Sequence, residues 1–537
     1  FQQKLGSIGC YIWKGRIDKL NSVKELLYSM TDTAEYVGQM GWNAEHGFYA
    51  FGNGILKDGS FLAVDDMGIV RTDDRHKYYL PATSRMYRHN PTAYQFERMF
   101  LHENRSSISL HDFSQRVIDV FGNNGKIGIC FLLASLFRDL VYPIKNCFPI
   151  LNLFGLKGTG KTSLATTLQS FFIHGYDPPS ISNSSIPSMN DRVSQVTNAM
   201  VVLDEYKNDL DERKIAYLKA LWGGTGQVKK NVNGDGKTGN TIVTAAVCMC
   251  GQDLPTRDIA LYSRVIHLTF TRPSFSNEER RRFDDLKEMS NLGNTHLAIE
   301  VLNRRWAMEK RYRPTHSLVR KELAMALCDE EIEDRILDNW VVPLAVFRTL
   351  EPELDLPMTY HDLFSITVDG IRYQNEGCRK STEMAEFWEI IDSLHSQGRI
   401  IDKAHFNIKY LASFRAINSA EAMEFGKAKP ILFLNTAAVS SIYASRVIGG
   451  GSSRSNWATV MTYLKVQPSY LGLKQDRFNL LLPNGSFDYT IEGNVRKIKV
   501  NRPKALCFDY TMLKDKYSIN LESMVEAENE DNTPYPE

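Results

Sequence analysis

Between residues 146 and 275 the chain alternates short uninterrupted apolar runs with stretches where apolar residues return at helical spacing. The run Phe148 to Phe154 reads as a short buried strand. After it, Leu164, Leu168 and Phe171 or Phe172 recur with the period of a helix over Ser163 to Phe172. A second apolar run, Ala199 to Leu203, ends in Asp204-Glu205. A third spans Thr241 to Cys250, and a last one follows Arg264, from Val265 to Phe270. Strand and helix in alternation predict an α/β core.

The rest of the chain is patterned differently. Residues 1–95 carry Gly41-Trp42, Phe48 to Gly52 and Phe61 to Val64 as short apolar segments between turns, the pattern of a β-rich N-terminal domain. Residues 96–145 read as helical: Phe113, Val117, Val120 and Phe121 repeat at helical spacing, and Ile127 to Val141 reads as a buried helix. Helices are expected to dominate 276–398, including the charged run Glu278 to Lys287. A mixed α+β region is expected over 399–521, with a hairpin made by Phe478 to Leu482, the turn Asn484-Gly485, and Phe487 to Ile491. The tail 522–537 holds six acids and no base, a composition that favours disorder.

A chain of 537 residues exceeds one hydrophobic core, so three or four domains are expected. With 43% hydrophobic and 24% charged residues the composition is globular, and a net charge of +1 argues against a uniformly basic coat while leaving room for local basic patches. The run Ile127 to Phe137 is too short to span a bilayer, and no membrane partner is expected. The eight cysteines form no CxxC pair. Cys248 and Cys250, two apart in a strand-like run, share a face as core residues, and the usage suits a reducing cytoplasm. The first residue is Phe1, which suggests a fragment or processed product.

The stretch Gly155 to Thr162, GLKGTGKT, satisfies G-x-x-x-x-G-K-[ST] at every fixed position and lies between the first strand and its helix. That geometry aims backbone N–H groups and a helix N-terminus at a phosphate. Gly155, Leu156, Lys157, Gly158, Thr159, Gly160, Lys161, Thr162 and Ser163 are therefore the nucleotide-binding residues, with Lys161 on the outer phosphates and Thr162 on Mg²⁺. Asp204 is the second metal-site residue, and Glu205 would orient or deprotonate an attacking water. ATP and Mg²⁺ are the expected cofactors.

Three further features narrow the class. Asn233-Gly234 and Asp235-Gly236 are tight-turn pairs, and with Lys229, Lys230 and Lys237 they predict a hairpin with lysines near its tip, suited to a phosphate backbone. Gln252, at the end of the third strand, could sense the γ-phosphate or hold the lytic water. Arg264 precedes the last strand, where an arginine can reach a neighbouring subunit's phosphate, with Arg257 as a rival.

The order of these features resembles the superfamily 3 helicases, an AAA+-like class. It resembles in particular those of papillomavirus type and the helicase modules of phage and mobile-element primase–helicases. The resemblance covers about residues 100 to 275. It implies a P-loop NTPase core with a helical collar over 96–145, a hexameric ring, and single-stranded or forked DNA drawn through the pore by Lys237, with Lys229 and Lys230 as alternatives. It also implies Arg264 acting in trans and a primase domain as a partner. Two departures stand out: Gln252 replaces the family's usual Asn, and the hairpin lacks an aromatic or His beside its lysine. Phe387 to Leu394 before Arg399 to Ile401, and Trp457 to Leu464 before the 478–491 segment, resemble winged-helix patterns. Arg496, Lys497, Lys499, Arg502 and Lys504 would form a basic strip there. The expected function is an ATP-dependent DNA helicase or translocase. The alternatives are a ring ATPase that remodels or loads a protein and a nucleotide-switched DNA-binding module.

Overall fold

The runs Met200–Tyr206, Ala246–Gly251, Ile150–Gly155 and Val265–Phe270 lie side by side, in that order, as one all-parallel sheet. The structure, a computed structural model, describes residues 14–521 except 31–32, 74–75, 104, 174, 176, 231–237, 256–257, 272–275, 418, 420, 448–456, 484 and 493–494. These strands have almost no polar alternation because helices cover both faces, so most side chains meet apolar neighbours. All six residues of Ala246–Gly251 are buried, Cys248 and Cys250 among them. The predicted third run is in fact two elements: Thr238–Ile242 belongs to a separate hairpin, and the sheet strand starts only at Ala246.

The chain divides into two compact units, one of residues 1–255 and 260–372, the other of 256–259 and 373–537. In the first, Ser60–Ala63, Gly54–Lys57, Phe48–Phe51 and Met40–Asn43 form an antiparallel meander. Val196–Thr197, from the nucleotide core, adds a fifth strand parallel to Met40–Asn43. The Tyr49 hydroxyl donates to the Asn198 carbonyl at 3.1 Å, and the Phe100 and Phe172 rings stack.

Helix Leu110–Leu136 starts at Ser109, whose hydroxyl accepts the Asp112 N–H at 3.0 Å. By length and apolar content this element could cross a membrane. Gly122, at φ 55° and ψ −131°, breaks it into two helices, each shorter than the roughly 20 residues a span requires, and Ile127 to Leu136 is buried in the protein. Helix Lys161–Gln169 packs on the sheet and on this helix through Leu164 and Leu168. Helix Asn277–Asn291 opens with a capping box: the Ser276 hydroxyl accepts the Glu279 N–H at 3.2 Å, and the Glu279 carboxylate accepts the Ser276 N–H at 2.6 Å.

The second unit carries an antiparallel sheet in the order Phe406–Phe414, Met423–Leu434, Lys504–Asp509, Tyr470–Gln475. One face packs Leu432, Leu434, Leu506 and Phe508 against Phe387, Trp388, Ile391 and Leu394, together with Val460 and Leu464. The hairpin expected over 478–491 forms only next to its turn, where the Asp488 N–H donates to the Leu480 carbonyl and the Leu482 N–H to the Ser486 carbonyl, both at 2.8 Å. Leu481 and Phe487 form a single bridge at the turn, while Phe478–Asn479 pairs with Val500–Asn501 and Tyr489–Glu492 pairs with Val495–Ile498. Arg496, Lys497, Lys499, Arg502 and Lys504 are exposed, with Arg496 over the Tyr489 ring at 4.1 Å and Lys499 paired to Asp488 at 3.0 Å.

Candidate active site

The loop from Gly155 to Gly160 leaves the C-terminal end of the second-to-last strand of the sheet and enters helix Lys161–Gln169. Gly160 caps that helix at φ 90°, a conformation an L side chain resists. Gly155 is required by proximity: a Cβ there would lie 2.3 Å from the Phe270 carbonyl oxygen of the paired strand. Within the loop the Thr159 hydroxyl donates to the Leu156 carbonyl at 2.8 Å, and Leu156, Lys157 and Gly158 face solvent.

Lys161 is buried, and its ammonium donates to the carbonyls of Gly155 and Leu156, both at 2.7 Å. Burial pushes its pKa below the usual lysine value, opposed by Cys250 and Asp204. The Thr162 hydroxyl donates to Asp204 Oδ2 at 3.0 Å, and Asp204 Oδ1 accepts the Glu205 N–H at 2.7 Å. A hydroxyl and a carboxylate side by side, next to a phosphate loop, are the oxygen donors a hard divalent cation takes.

Glu205 is unusual. The ladder to Ala246–Gly251 slips between Leu203 and Tyr206, and Glu205 sits in that bulge at φ 57°. A left-handed conformation at a non-glycine residue costs of order 1–3 kcal/mol, and Asp58, Tyr94, Asn146, Asn198, Lys403 and Ser518 share it here. Its carboxylate Oε2 accepts from the Ser180 hydroxyl and, at 3.5 Å, from the Asn183 amide. Its carbonyl accepts from the Ser182 hydroxyl at 2.8 Å.

Gln252 is exposed one residue past the end of its strand. Arg264 lies at the opposite end of the sheet from the phosphate loop. Val265 is level with Ile150 and Phe270 with Gly155, so about six strand residues, roughly 20 Å, separate Arg264 from its own loop. Its guanidinium donates to the Ala260 carbonyl and lies over the Trp222 ring at 5.1 Å. Thr225–Lys230 and Thr238–Ile242 form the antiparallel arms of the basic hairpin, with Lys229 opposite Gly239 and Lys230 opposite Thr238. Lys237, Arg257 and the side chains of Lys229 and Lys230 lie outside the described residues.

Sequence reasoning missed two parts of the site. A cavity of about 510 Å³ opens beside Gly158, Thr159, Gly160 and Ser163, walled by Phe121, Asn124, Phe270, Arg280 and Phe283. Asn124 is fixed by donating to the Thr269 carbonyl at 2.9 Å. Phe121, Asn124, Arg280 and Phe283 come from two helices and Phe270 from the end of a sheet strand, elements whose patterning was legible but whose proximity to the loop carried no local signal. The second part is the Ser180–Asn183 segment, which joins the Asp-Glu strand by the Asp204 N–H to Pro179 carbonyl bond and the Ile181 N–H to Asp204 carbonyl bond, at 2.9 and 2.7 Å.

No protein-family model and no curated protein matches the chain. Among solved structures it is similar to the SCCmec type IV Cch helicase, at 10% identity over 93% of this chain and 84% of that one, with a TM-score of 0.49. It is similar to an inhibitor-bound JCV helicase, at 15% identity over 44% and 70%, with a TM-score of 0.21. It is also similar to the C-terminal region of NrS-1, at 10% identity over 62% and 90%, with a TM-score of 0.25. Likenesses this distant carry no argument about activity, which rests on the site itself.

Proposed function

We propose that the chain is an ATP-dependent DNA helicase or translocase that works as a ring, with a hexamer as the expected assembly, in the replication of a phage, plasmid or mobile element. The observation that carries this reading is the meeting of Lys161, Thr162 and Asp204 at one phosphate loop, with Thr162 and Asp204 in direct contact at 3.0 Å. Loop N–H groups and Lys161 bind the β- and γ-phosphates. Thr162 and Asp204 would hold Mg²⁺, which when bound neutralises charge on the phosphate oxygens. The cavity walled by Phe121 and Phe283 takes the base and ribose. Glu205 accepts a proton from, or orients, the attacking water.

The placement of Arg264 favours a ring over a monomer. It cannot reach its own loop across roughly 20 Å of strand, so a role at a phosphate requires a neighbouring copy. Hydrolysis then alters the contact between copies, and the basic hairpin, carrying Lys229, Lys230 and Lys237, moves with it along a single strand of DNA.

The experiment is strand displacement on a forked DNA duplex with and without ATP, alongside ATP turnover with and without single-stranded DNA. The reading expects unwinding only with ATP and turnover stimulated by DNA. Glu205→Gln should keep ATP binding while losing about 10²-fold or more in turnover. An assembled oligomer that cleaves no nucleoside triphosphate, even with polynucleotide present, would refute the proposal. Turnover indifferent to DNA would favour a protein remodeller.

A further inference from the structure

Glu35, Glu45 and His46 lie outside the nucleotide site and are not used by the function proposed above. They nevertheless bring three metal-ligating atoms together, one from each residue, all within 4.8 Å of one another. Glu35 belongs to the short strand Glu35–Tyr36, which runs parallel to Lys77–Tyr79 in a three-stranded sheet completed by Ile69–Arg71. Glu45 and His46 sit in the turn between Met40–Asn43 and Phe48–Phe51, two strands of the five-stranded sheet. That turn is fixed by Asn43, whose side chain accepts the His46 N–H at 3.0 Å and whose carbonyl accepts the Gly47 N–H at 2.9 Å. The three ligands therefore come from two separate sheets.

The imidazole is held ready. Its ring stacks on Phe48, with 10° between the planes and centroids 6.0 Å apart, and leans on Tyr78 at 5.1 Å. Its Nε2 lies 3.0 Å from Glu35 Oε1. Two ligands about 2.0–2.1 Å from one tetrahedral ion lie about 3.3 Å from each other, so an ion in place of the shared proton opens this pair by only a few tenths of an ångström. Glu35 and Glu45 are exposed, so their flexible side chains can close the remaining distance. The charge balance also favours a cation. His46 supplies at most one positive charge against two carboxylates, and neither carboxylate pairs with a lysine or arginine among the described residues. Burial, and after it the negative charges of Glu35, Asp73 and Glu45, push the Tyr78 hydroxyl pKa up, so these acids converge on one spot.

One imidazole nitrogen and two carboxylate oxygens suit a first-row divalent transition metal better than Mg²⁺ or Ca²⁺, which take oxygen ligands. We propose that Glu35, Glu45 and His46 form a binding site for a divalent cation of the Zn²⁺ class, which staples the three-stranded sheet to the turn of the five-stranded sheet. Three protein ligands leave a position for water, so the ion is removable by chelation. The rings of Phe48 and Tyr78, with centroids 4.8 Å apart, already join the two sheets, and the ion adds a second link. This site is separate from Thr162 and Asp204, and it does not depend on the chain hydrolysing ATP.

The test titrates the full chain with Zn²⁺ by calorimetry, with Mg²⁺ in excess to hold Thr162 and Asp204. It is repeated on Glu45→Ala, His46→Phe and Asp204→Asn. Losing even an outer partner of a metal ligand costs about 10- to 100-fold in affinity, so loss of a ligand itself should weaken the site about 100-fold or more. The wild-type chain and Asp204→Asn are expected to take up one equivalent of Zn²⁺ that Glu45→Ala and His46→Phe do not. Zn²⁺ should raise the melting temperature of the wild-type chain, with EDTA reversing the rise, and leave that of Glu45→Ala and His46→Phe unchanged. Glu45→Ala changes an exposed turn residue and His46→Phe keeps the ring packing, so both keep the fold, checked by circular dichroism. The inference is overturned if the wild-type chain binds no Zn²⁺ saturably, or if either Glu45→Ala or His46→Phe binds it as tightly as the wild type. Loss of ATP hydrolysis or of DNA stimulation is read in separate assays and bears only on the helicase reading.

Discussion

Acidification should unfold this protein partly through one histidine in the nucleotide sheet. His267 lies on the strand beside the phosphate-loop strand, directly opposite Asn152, with its Nδ1 2.9 Å from the Asn152 amide and its ring 4.4 Å from that of Tyr262. Burial pushes its pKa down to about 3, from the usual 6.5. The sign follows from proton counts. Between those two values the unfolded chain binds a proton that the folded chain refuses, so stability is fully present above pH 6.5 and is lost as pH falls toward 3. At pH 4.5 the loss from this one group is on the order of 3 kcal/mol, a sizeable part of the 5–15 kcal/mol of a typical domain. The assay compares urea midpoints at pH 7 and pH 4.5 for the wild-type chain and His267→Leu. The substitution should lower the midpoint at pH 7, because the Asn152 amide loses its partner at a cost of about 1–3 kcal/mol. It should nevertheless flatten the pH dependence by a similar amount, about 3 kcal/mol, since leucine binds no proton. Carboxylates titrate equally in both proteins and cancel in the double difference. Equal pH slopes in the two proteins would refute the reasoning.

The remaining expectations concern the phosphate loop. In Gly155→Ala the new Cβ would sit 2.3 Å from the Phe270 carbonyl oxygen and 2.9 Å from the Phe270 Cβ, so two paired strands must separate. A destabilisation of about 1–3 kcal/mol and weakened ATP binding are expected, read by urea melts and by titration with a fluorescent ATP analogue. Lys161 should lose its charge at a lower pH than an ordinary lysine, because burial depresses its pKa. ATP affinity should therefore fall as pH rises through the range below 10.5, before exposed lysines titrate, and Lys161→Met should bind weakly with no such dependence.

Some of this site was legible from residues alone, because it is local. The phosphate loop is eight consecutive residues whose glycines, lysine and threonine each answer to a nearby backbone need, and Asp204-Glu205 follows an apolar run that can only be an interior strand. A basic hairpin was legible too: Thr225–Lys230 and Thr238–Ile242 pair as its arms, although the second arm was expected to run on as the strand Thr241 to Cys250, and residues 231–237 lie outside the described residues. The segment 478–491 shows the limit of that logic. Leu481 and Phe487 bridge, yet the strands on either side pair farther along the chain.

What the sequence determined by itself was therefore the chemistry of contiguous segments: where a phosphate could sit, which acids could serve it, and which runs would be strands. Only the tertiary structure decided which distant groups meet. It set Phe121 and Phe283 against the loop, placed Arg264 at the far end of the sheet from its own glycine loop, and laid Ser180 on Glu205. The physical reason is one of range. Backbone conformation and periodicity answer to residues a few positions away, whereas packing and side-chain hydrogen bonds join groups that the sequence separates by up to more than a hundred residues, and their pairing carries no local signature.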